Sequence, residues 1–208
     1  TIAELCEKIG ANYSEIIPAL RKDKRIGDDA YINPGLGISG GNLERDLSTF
    51  IDYSKNYESD YRVVSSWKAN SQHRKIFPIK ILESYKFINK KNLIITIFGL
   101  SYKINTHSTK NSPTIDLLKF LKNYKNIHIY DPIIKSIKVG NIEYVSKREI
   151  LQDEKLGDIV VIMNNSSMFK KINSLPDLKN VKLIIDPFKV ITNKTITNSK
   201  KYFTLGQH

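Results

Sequence analysis

Beyond about residue 91 the chain carries four apolar runs that read as buried strands: LIITIFGL (93–100), NIHIYDP (126–132), DIVVIMN (158–164) and VKLIIDP (181–187). They show little alternation of polar and apolar residues, as strands covered on both faces of a parallel sheet do. Helical stretches lie between them. SPTIDLLKFLKNY opens on a serine cap with proline just inside. SKREILQD and SSMFKKINSL are further candidates, and a short strand, IEYV, precedes the first of these. Strands alternating with short helices imply a Rossmann-like parallel α/β sheet with helices on both faces.

The first part of the chain has a different period. Ile2, Leu5, Cys6 and Ile9 fall at i, i+3, i+4 and i+7, which predicts an amphipathic helix stopped at Gly10. A second helix is expected near 12–22, perturbed by Pro18, and RIGDDAYINPGLGISGGN reads as a turn-rich loop. LERDLSTFIDYSK is helical again, and residues 59–89 form one or two helices with a break at Pro78. The expected organisation is therefore α/β, with a helical domain over 1–91 and a sheet domain over 92–208. Their boundary is expected at the polar residues Lys90–Asn92.

No apolar run approaches the ~20 residues needed to span a bilayer, so no membrane partner is expected. The chain opens on a helix pattern without methionine or a signal peptide, so a fragment or a processed chain is expected. Cys6 is the single cysteine, which fits a reducing, cytoplasmic compartment, and its place on the apolar stripe reads as a small buried hydrophobe. A net charge of +12 raises nucleic acid as a partner. The lysines are spread along the whole chain and lack the interleaved aromatics of single-strand binders, so a solvated basic surface is the favoured reading and no nucleic-acid partner is expected. Such a surface also attracts a pyrophosphate. His73, His107, His128 and His208 share no spacing with cysteines or acids that would hold a metal, and none is expected.

Gly35, Gly37 and Gly40 match G-x-G-x-x-G. A dinucleotide fingerprint requires a strand directly before it and a helix opening from it. The preceding residues, Asp-Asp-Ala-Tyr-Ile-Asn-Pro, read as loop, so these glycines are not expected to hold a dinucleotide. They still allow a ligand close to the backbone and leave amide N–H groups free to donate.

The same loop, PGLGISGGNLERDL (34–47), resembles the signature of the UDP-glucose/GDP-mannose dehydrogenase family. That signature reads Pro-Gly-x-Gly-aromatic-Gly-Gly-Ser-Cys-Phe/Leu-Pro-Lys-Asp. Pro34, Gly35, Gly37, Gly40 and Asp46 match, Arg45 stands for the lysine and Asn42 stands at the cysteine. DKRIG (23–27) resembles the family's Asp-x-Arg-Ile-Gly, AELCEKIGAN its central helix, and Asn70 an asparagine of that domain. FGLSYKINTHSTKNSP (98–113) resembles Gly-Leu-Ala/Ser-aromatic-Lys-x-Asn-Thr-Asp-Asp-x-Arg-Glu-Ser-Pro. There Gly99, Leu100, Tyr102, Lys103, Asn105, Thr106, Ser112 and Pro113 match, while His107 and Ser108 replace the acids, Lys110 the arginine and Asn111 the glutamate. HIYDP and KYFTLG match later strand ends.

The resemblance implies a helical dimerisation domain followed by a UDP-binding domain, and a homodimer. It also implies a missing N-terminal domain that holds most of the NAD site. The family reaction moves two hydrides from a sugar alcohol to NAD through a cysteine thioester. An amide is no substitute for a thiolate, which attacks and then leaves. By resemblance, Asn42 and Asp46 stand at catalytic positions. Arg25, Gly35, Gly37, Gly40, Tyr102 and Lys103 would contact the nucleotide-sugar. Arg25 would reach into a neighbouring subunit, and Lys110 would touch NAD. Lys189 is a candidate for the nucleotide contact of an arginine that the family often has one residue earlier, where this chain has Phe188. The expected function is the C-terminal part of an NAD-dependent nucleotide-sugar dehydrogenase impaired in the thioester step. The alternatives are a two-electron oxidase or epimerase, and a non-catalytic nucleotide-sugar-binding subunit.

Overall fold

The computed structural model describes residues 1–85, 92–152, 155–199 and 201–207. Five helices in the first part follow the expected pattern: α1 (Ile2–Ile9), α2 (Tyr13–Arg21), α3 (Asn42–Asn56), α4 (Arg62–Lys75) and α5 (Phe77–Ser84). Gly10 ends α1 in the left-handed conformation, with φ 75°. Asn12 caps α2 by accepting from the Ser14 amide, and α2 continues through Pro18 to Arg21. The chain breaks at Ile76, just before Pro78, which sits in the first turn of α5 where no intrahelical N–H is needed.

One expectation needs correcting. On α1 the buried residues are Ala3 and Cys6, whereas Ile2, Leu5 and Ile9 are exposed. The helix docks by its small-residue edge against Tyr13 of α2, and the bulkier stripe is left uncovered.

The second part is a parallel sheet of β1 (Ile95–Phe98), β2 (Ile127–Tyr130), β5 (Ile159–Ile162), β6 (Leu183–Ile185) and β7 (Tyr202–Phe203). The strand order is β2-β1-β5-β6-β7. Ile95 and Ile97, Ile159 and Val161, Leu183 and Ile185 pack on one face beneath α6 (Pro113–Phe120). Phe98, Val160, Ile162 and Ile184 pack on the other face against Phe169, Ile172, Leu175 and Leu178. The apolar runs thus conceal the period of two that puts successive side chains on opposite faces. The expected fold class is the one observed.

Connections differ from expectation in detail. SSMFKKINSL forms a 3-10 helix, Ser167–Ser174, and is cut short because Pro176 holds Leu175 extended. SKREILQD provides one 3-10 turn, Arg148–Leu151, within the described residues, and Asp153 lies outside them. The IEYV strand, β4 (Ile142–Val145), pairs antiparallel with an unanticipated β3 (Ser136–Val139). Gly140, φ 61°, and Asn141 make the two-residue turn of that hairpin. A short α7 (Lys194–Thr197) was also not anticipated. Lys90 and Lys91, at the expected domain boundary, lie outside the described residues.

Asp131, at the end of β2 and buried, fixes the loop that leaves β1. Its Oδ2 accepts from the Leu100 and Ser101 amides and its Oδ1 from those of Ile133 and Ile134. Removing the carboxylate strands several buried donors at once. Asp131→Ala is expected to lower the unfolding free energy by roughly 3 kcal/mol, measured by urea denaturation.

Candidate functional site

The chain leaves β1 through α6 to β2 on one side, then returns to β5 on the other side of β1. This reversal leaves the C-terminal ends of β1 and β5 without a crossing connection, which is where open α/β sheets bind ligands. The residues after β1 are locked to that edge. Gly99 takes φ 102°, and a β-carbon there would meet the Asn164 side chain at 2.6 Å. Asn164, following β5, donates to the Ser101 carbonyl and hydroxyl. Ser112 and Thr114 donate back to the Leu100 and Gly99 carbonyls. The loop 99–112 is therefore held at both ends, with Tyr102 and Lys103 on it.

The glycine loop from the helical part packs onto this segment. Gly37, φ 79°, passes so close to α4 that a β-carbon would lie 2.4 Å from the Ser71 carbonyl, and the Ser71 hydroxyl accepts from Ile38 N–H at 2.7 Å. Gly40, φ 81°, lies against the Tyr102 ring, 3.0 Å from where a β-carbon would be, and its amide donates to the Lys110 carbonyl at 3.1 Å. At Gly41 a β-carbon would meet the end of the Lys110 side chain, including Nζ at 2.7 Å. Asn111 completes the junction, donating from Nδ2 to the carbonyls of Ile38 and Gly40 and to Glu44. Gly37 and Gly40 are required there by conformation and by space, whereas Gly41 has an ordinary φ of −103° and faces only the flexible end of Lys110.

Asn42 opens α3 two residues after Gly40, and Lys103 directly follows Tyr102, with its ammonium 5.5 Å from that ring's centroid. The Gly40–Tyr102 contact thus brings the two loops that carry them together. Asn42 and Lys103 are both exposed. Asp46, one turn after Asn42, is exposed and paired with Arg45 at 3.1 Å. Gly35, Gly37 and Ile38 line a second space, a cavity of about 580 Å³ shared with Trp67, Asn70 and Ser71.

Other predicted residues lie apart. Arg25 is 90% exposed and closes on Asp23 at 2.6 Å, which holds the Asp23 carboxyl below its usual range. Gly35 has no φ constraint and nothing within 4 Å of a β-carbon position. The Lys189 ammonium donates to Ser14 of α2 at 2.6 Å. His107 is a solvated loop residue. Residues 35–40 follow loop rather than strand, so they form no dinucleotide turn. Among the described residues no group of three or more His, Cys, Asp or Glu is arranged to hold a metal, and no helix is long and apolar enough to cross a membrane.

Sequence reasoning missed the contributions of Lys75, Glu44, Ser71, Asp131 and Asn164. Ser71, Arg74 and Lys75 are the buried face of α4. They have helical spacing but no hydrophobicity, so a search for apolar periodicity passes over them.

The glycine loop of the helical part seals onto the switch point of a parallel sheet, and the two parts together define an α/β protein. Residues 1–72 match the central domain of the UDP-glucose/GDP-mannose dehydrogenase family, and residues 96–193 match that family's UDP-binding domain. The chain belongs to this family. A UDP-glucose 6-dehydrogenase of Rickettsia conorii is 28% identical over 99% of this chain and 49% of its own length. One of Bacillus subtilis is 26% identical over 99% of this chain and 48% of its own length. The chain therefore spans about half the length of the curated relatives it matches. Among solved structures, the UDP-D-ManNAc dehydrogenase of Pyrococcus horikoshii superposes with TM-score 0.74 at 23% identity, over 99% of this chain and 46% of that one. A UDP-glucose dehydrogenase of Pyrobaculum islandicum gives 0.74 at 18% identity, over 97% and 45%. At these identities the structural likeness establishes the fold alone.

Gly40→Ala is expected to displace the Tyr102 ring and to cost roughly 2 kcal/mol in urea denaturation, because a left-handed alanine and a steric clash coincide. Gly35→Ala, with neither constraint, should stay within about 0.5 kcal/mol of the parent.

Proposed function

We propose that this chain is the nucleotide-sugar-binding part of an NAD-dependent nucleotide-sugar dehydrogenase whose chemistry at the nucleophile position is altered. The observation that carries this reading is the docking of Gly40 on Tyr102, which sets Asn42 and Lys103 beside one junction at the sheet's switch point. The relatives are named for UDP-glucose, and a UDP-sugar is the proposed ligand class.

In this reading Tyr102 and Lys103 hold the nucleotide-sugar, the lysine as a point charge on a diphosphate oxygen. Gly35, Gly37 and Gly40 let the backbone approach the sugar, and Arg25 turns from Asp23 toward the site of a partner copy. Lys110, beside the first turn of α3, sits where the helix dipole disfavours a cation, a cost relieved when an anion binds there. That anion is the NAD pyrophosphate edge, and the rest of NAD falls to other parts of the full-length protein. NAD, when bound, supplies the hydride acceptor. Asn42 hydrogen-bonds a sugar hydroxyl but forms no thioester, since its amide is neither nucleophile nor leaving group. Asp46, one helical turn on, receives a proton or orders a water. The consequence is oxidation by two electrons, to an aldehyde or ketone, rather than four.

A non-catalytic nucleotide-sugar-binding subunit is the second reading, favoured by the amide at position 42 and by the closure of Arg25 on Asp23. Calorimetry with UDP-glucose and GDP-mannose on this chain tests the shared part. Lys103→Ala should weaken UDP-glucose about tenfold or more, as loss of a charged hydrogen bond does. The full-length protein with UDP-glucose and NAD separates the readings. One NADH per sugar and an aldehyde or ketone support the first, no NADH supports the second, and a uronic acid formed through a trapped thioester overturns both.

We also propose a homodimer through the helical part. Exposed Leu5, Phe50, Tyr53 and Val63 supply its apolar surface. Leu5→Glu is expected to shift a dimer toward monomer in light scattering, with the sheet core intact by circular dichroism.

A further inference from the structure

Of the two buried cations of α4, Arg74 pairs with Glu7 and Lys75 has no part in the chemistry above. Lys75, the last residue of α4, is 2% exposed. Burial pushes its ammonium below the usual lysine range, against the opposing pull of Glu44 and Asp116. The ammonium donates to Asn111 Oδ1, while Asn111 Nδ2 donates to Glu44. An ammonium only donates and a carboxylate only accepts, so these neighbours fix which way the carboxamide points. The same Nδ2 reaches the carbonyls of Ile38 and Gly40, each at 3.3 Å, and the other Glu44 oxygen accepts from Gln72 at 3.2 Å. Asn111 does this from a left-handed backbone, φ 54°. Three residues from three segments thus share one hydrogen-bonded chain: the end of α4, the loop after β1 and the first turn of α3.

We propose that Lys75, Asn111 and Glu44 form a positioning relay that holds the entry to α3, with Asn42, in register with the Tyr102–Lys103 loop. The relay works with a single carboxylate, at position 44 or at position 111. Its effect on ligand binding rests on the nucleotide-sugar reading above. This chain carries the acid at 44, on the α3 wall of the contact, and an amide at 111. A carboxylate at both positions would set two like charges against one buried ammonium, which costs more than either alone.

The test compares Asn111→Glu, Glu44→Gln and the double variant with the parent. Each is read by amide hydrogen exchange over residues 38–44 against β1, β5 and β6, and by calorimetry with UDP-glucose. Asn111→Glu should speed exchange at 38–44 while leaving the strands protected, and should weaken UDP-glucose about tenfold. Adding Glu44→Gln should restore both, with affinity within about threefold of the parent, a coupling that independent sites do not show. Additive losses in the double variant, or unchanged exchange at 38–44 in Asn111→Glu, would overturn the relay. If Asn111→Glu does not fold, Asn111→Ala replaces it: faster exchange confined to 38–44 supports the relay and unchanged exchange overturns it. A parent that fails to bind UDP-glucose defeats the nucleotide-sugar reading alone, because the exchange data still decide the relay.

Discussion

In this chain the reversal of strand order beside β1 is the constraint from which the rest follows. Because β1 and β5 are neighbours whose following segments depart to opposite sides, their ends cannot be roofed by either connection. An open sheet edge of buried strands must be closed by something. The loop after β1 lines it, pinned by the Asp131 carboxylate and the Asn164 amide. The glycine loop of the helical part then lies across that loop, and only residues without a β-carbon approach closely enough at Gly37 and Gly40. The two parts of the chain meet at the place where a parallel sheet offers a binding crevice.

The charges at this junction are unevenly matched. Lys103 and Lys110 are exposed there, while Asp46 is engaged by Arg45 and Glu44 by Asn111 and Gln72. Exposed cations over low-dielectric walls raise the local concentration of anions. Lys103 and Lys110 are only a small share of the net +12 charge, whose lysines are spread along the whole chain.

Much of the architecture was legible from sequence because strongly apolar, short runs bounded by Gly, Pro and Asp leave few alternatives to buried parallel strands. Gly10 and Ser112 marked their helix ends for the same reason: their backbone and side-chain chemistry is local. The α1 stripe misled because periodicity reports which residues share a face, not whether anything covers it. Of the β3–β4 hairpin the IEYV strand was legible, whereas its partner SIKV, with weak apolar content, left only the Gly-Asn turn as its signal. At the junction, the glycine loop and the Tyr102–Lys103 strand end were legible, by resemblance, as walls of one pocket, but the atoms that seal them, Gly40 against the Tyr102 ring, were not, since they join segments far apart in sequence. Lys75 was invisible on different grounds: a lysine on a polar-looking helix gives no sign of burial until its partners, Asn111 and Glu44, are folded around it.

The exit from β7 ties the first helices to the last strand. Gly206 N–H donates to Glu7 across a separation of 199 residues, Tyr13 N–H donates to the Gly206 carbonyl, and Asn12 bridges to Gln207. Contacts of such span form only after the intervening chain has condensed, because closing so long a loop earlier is entropically unfavourable. The contacts of α1 and α2 with the exit of β7 therefore form only once β7 has joined the sheet, whereas the pairing of Glu7 with Arg74 on α4 needs a shorter loop. These contacts clasp the first two helices of the helical part to the last strand of the sheet, so that loosening either side loosens the other.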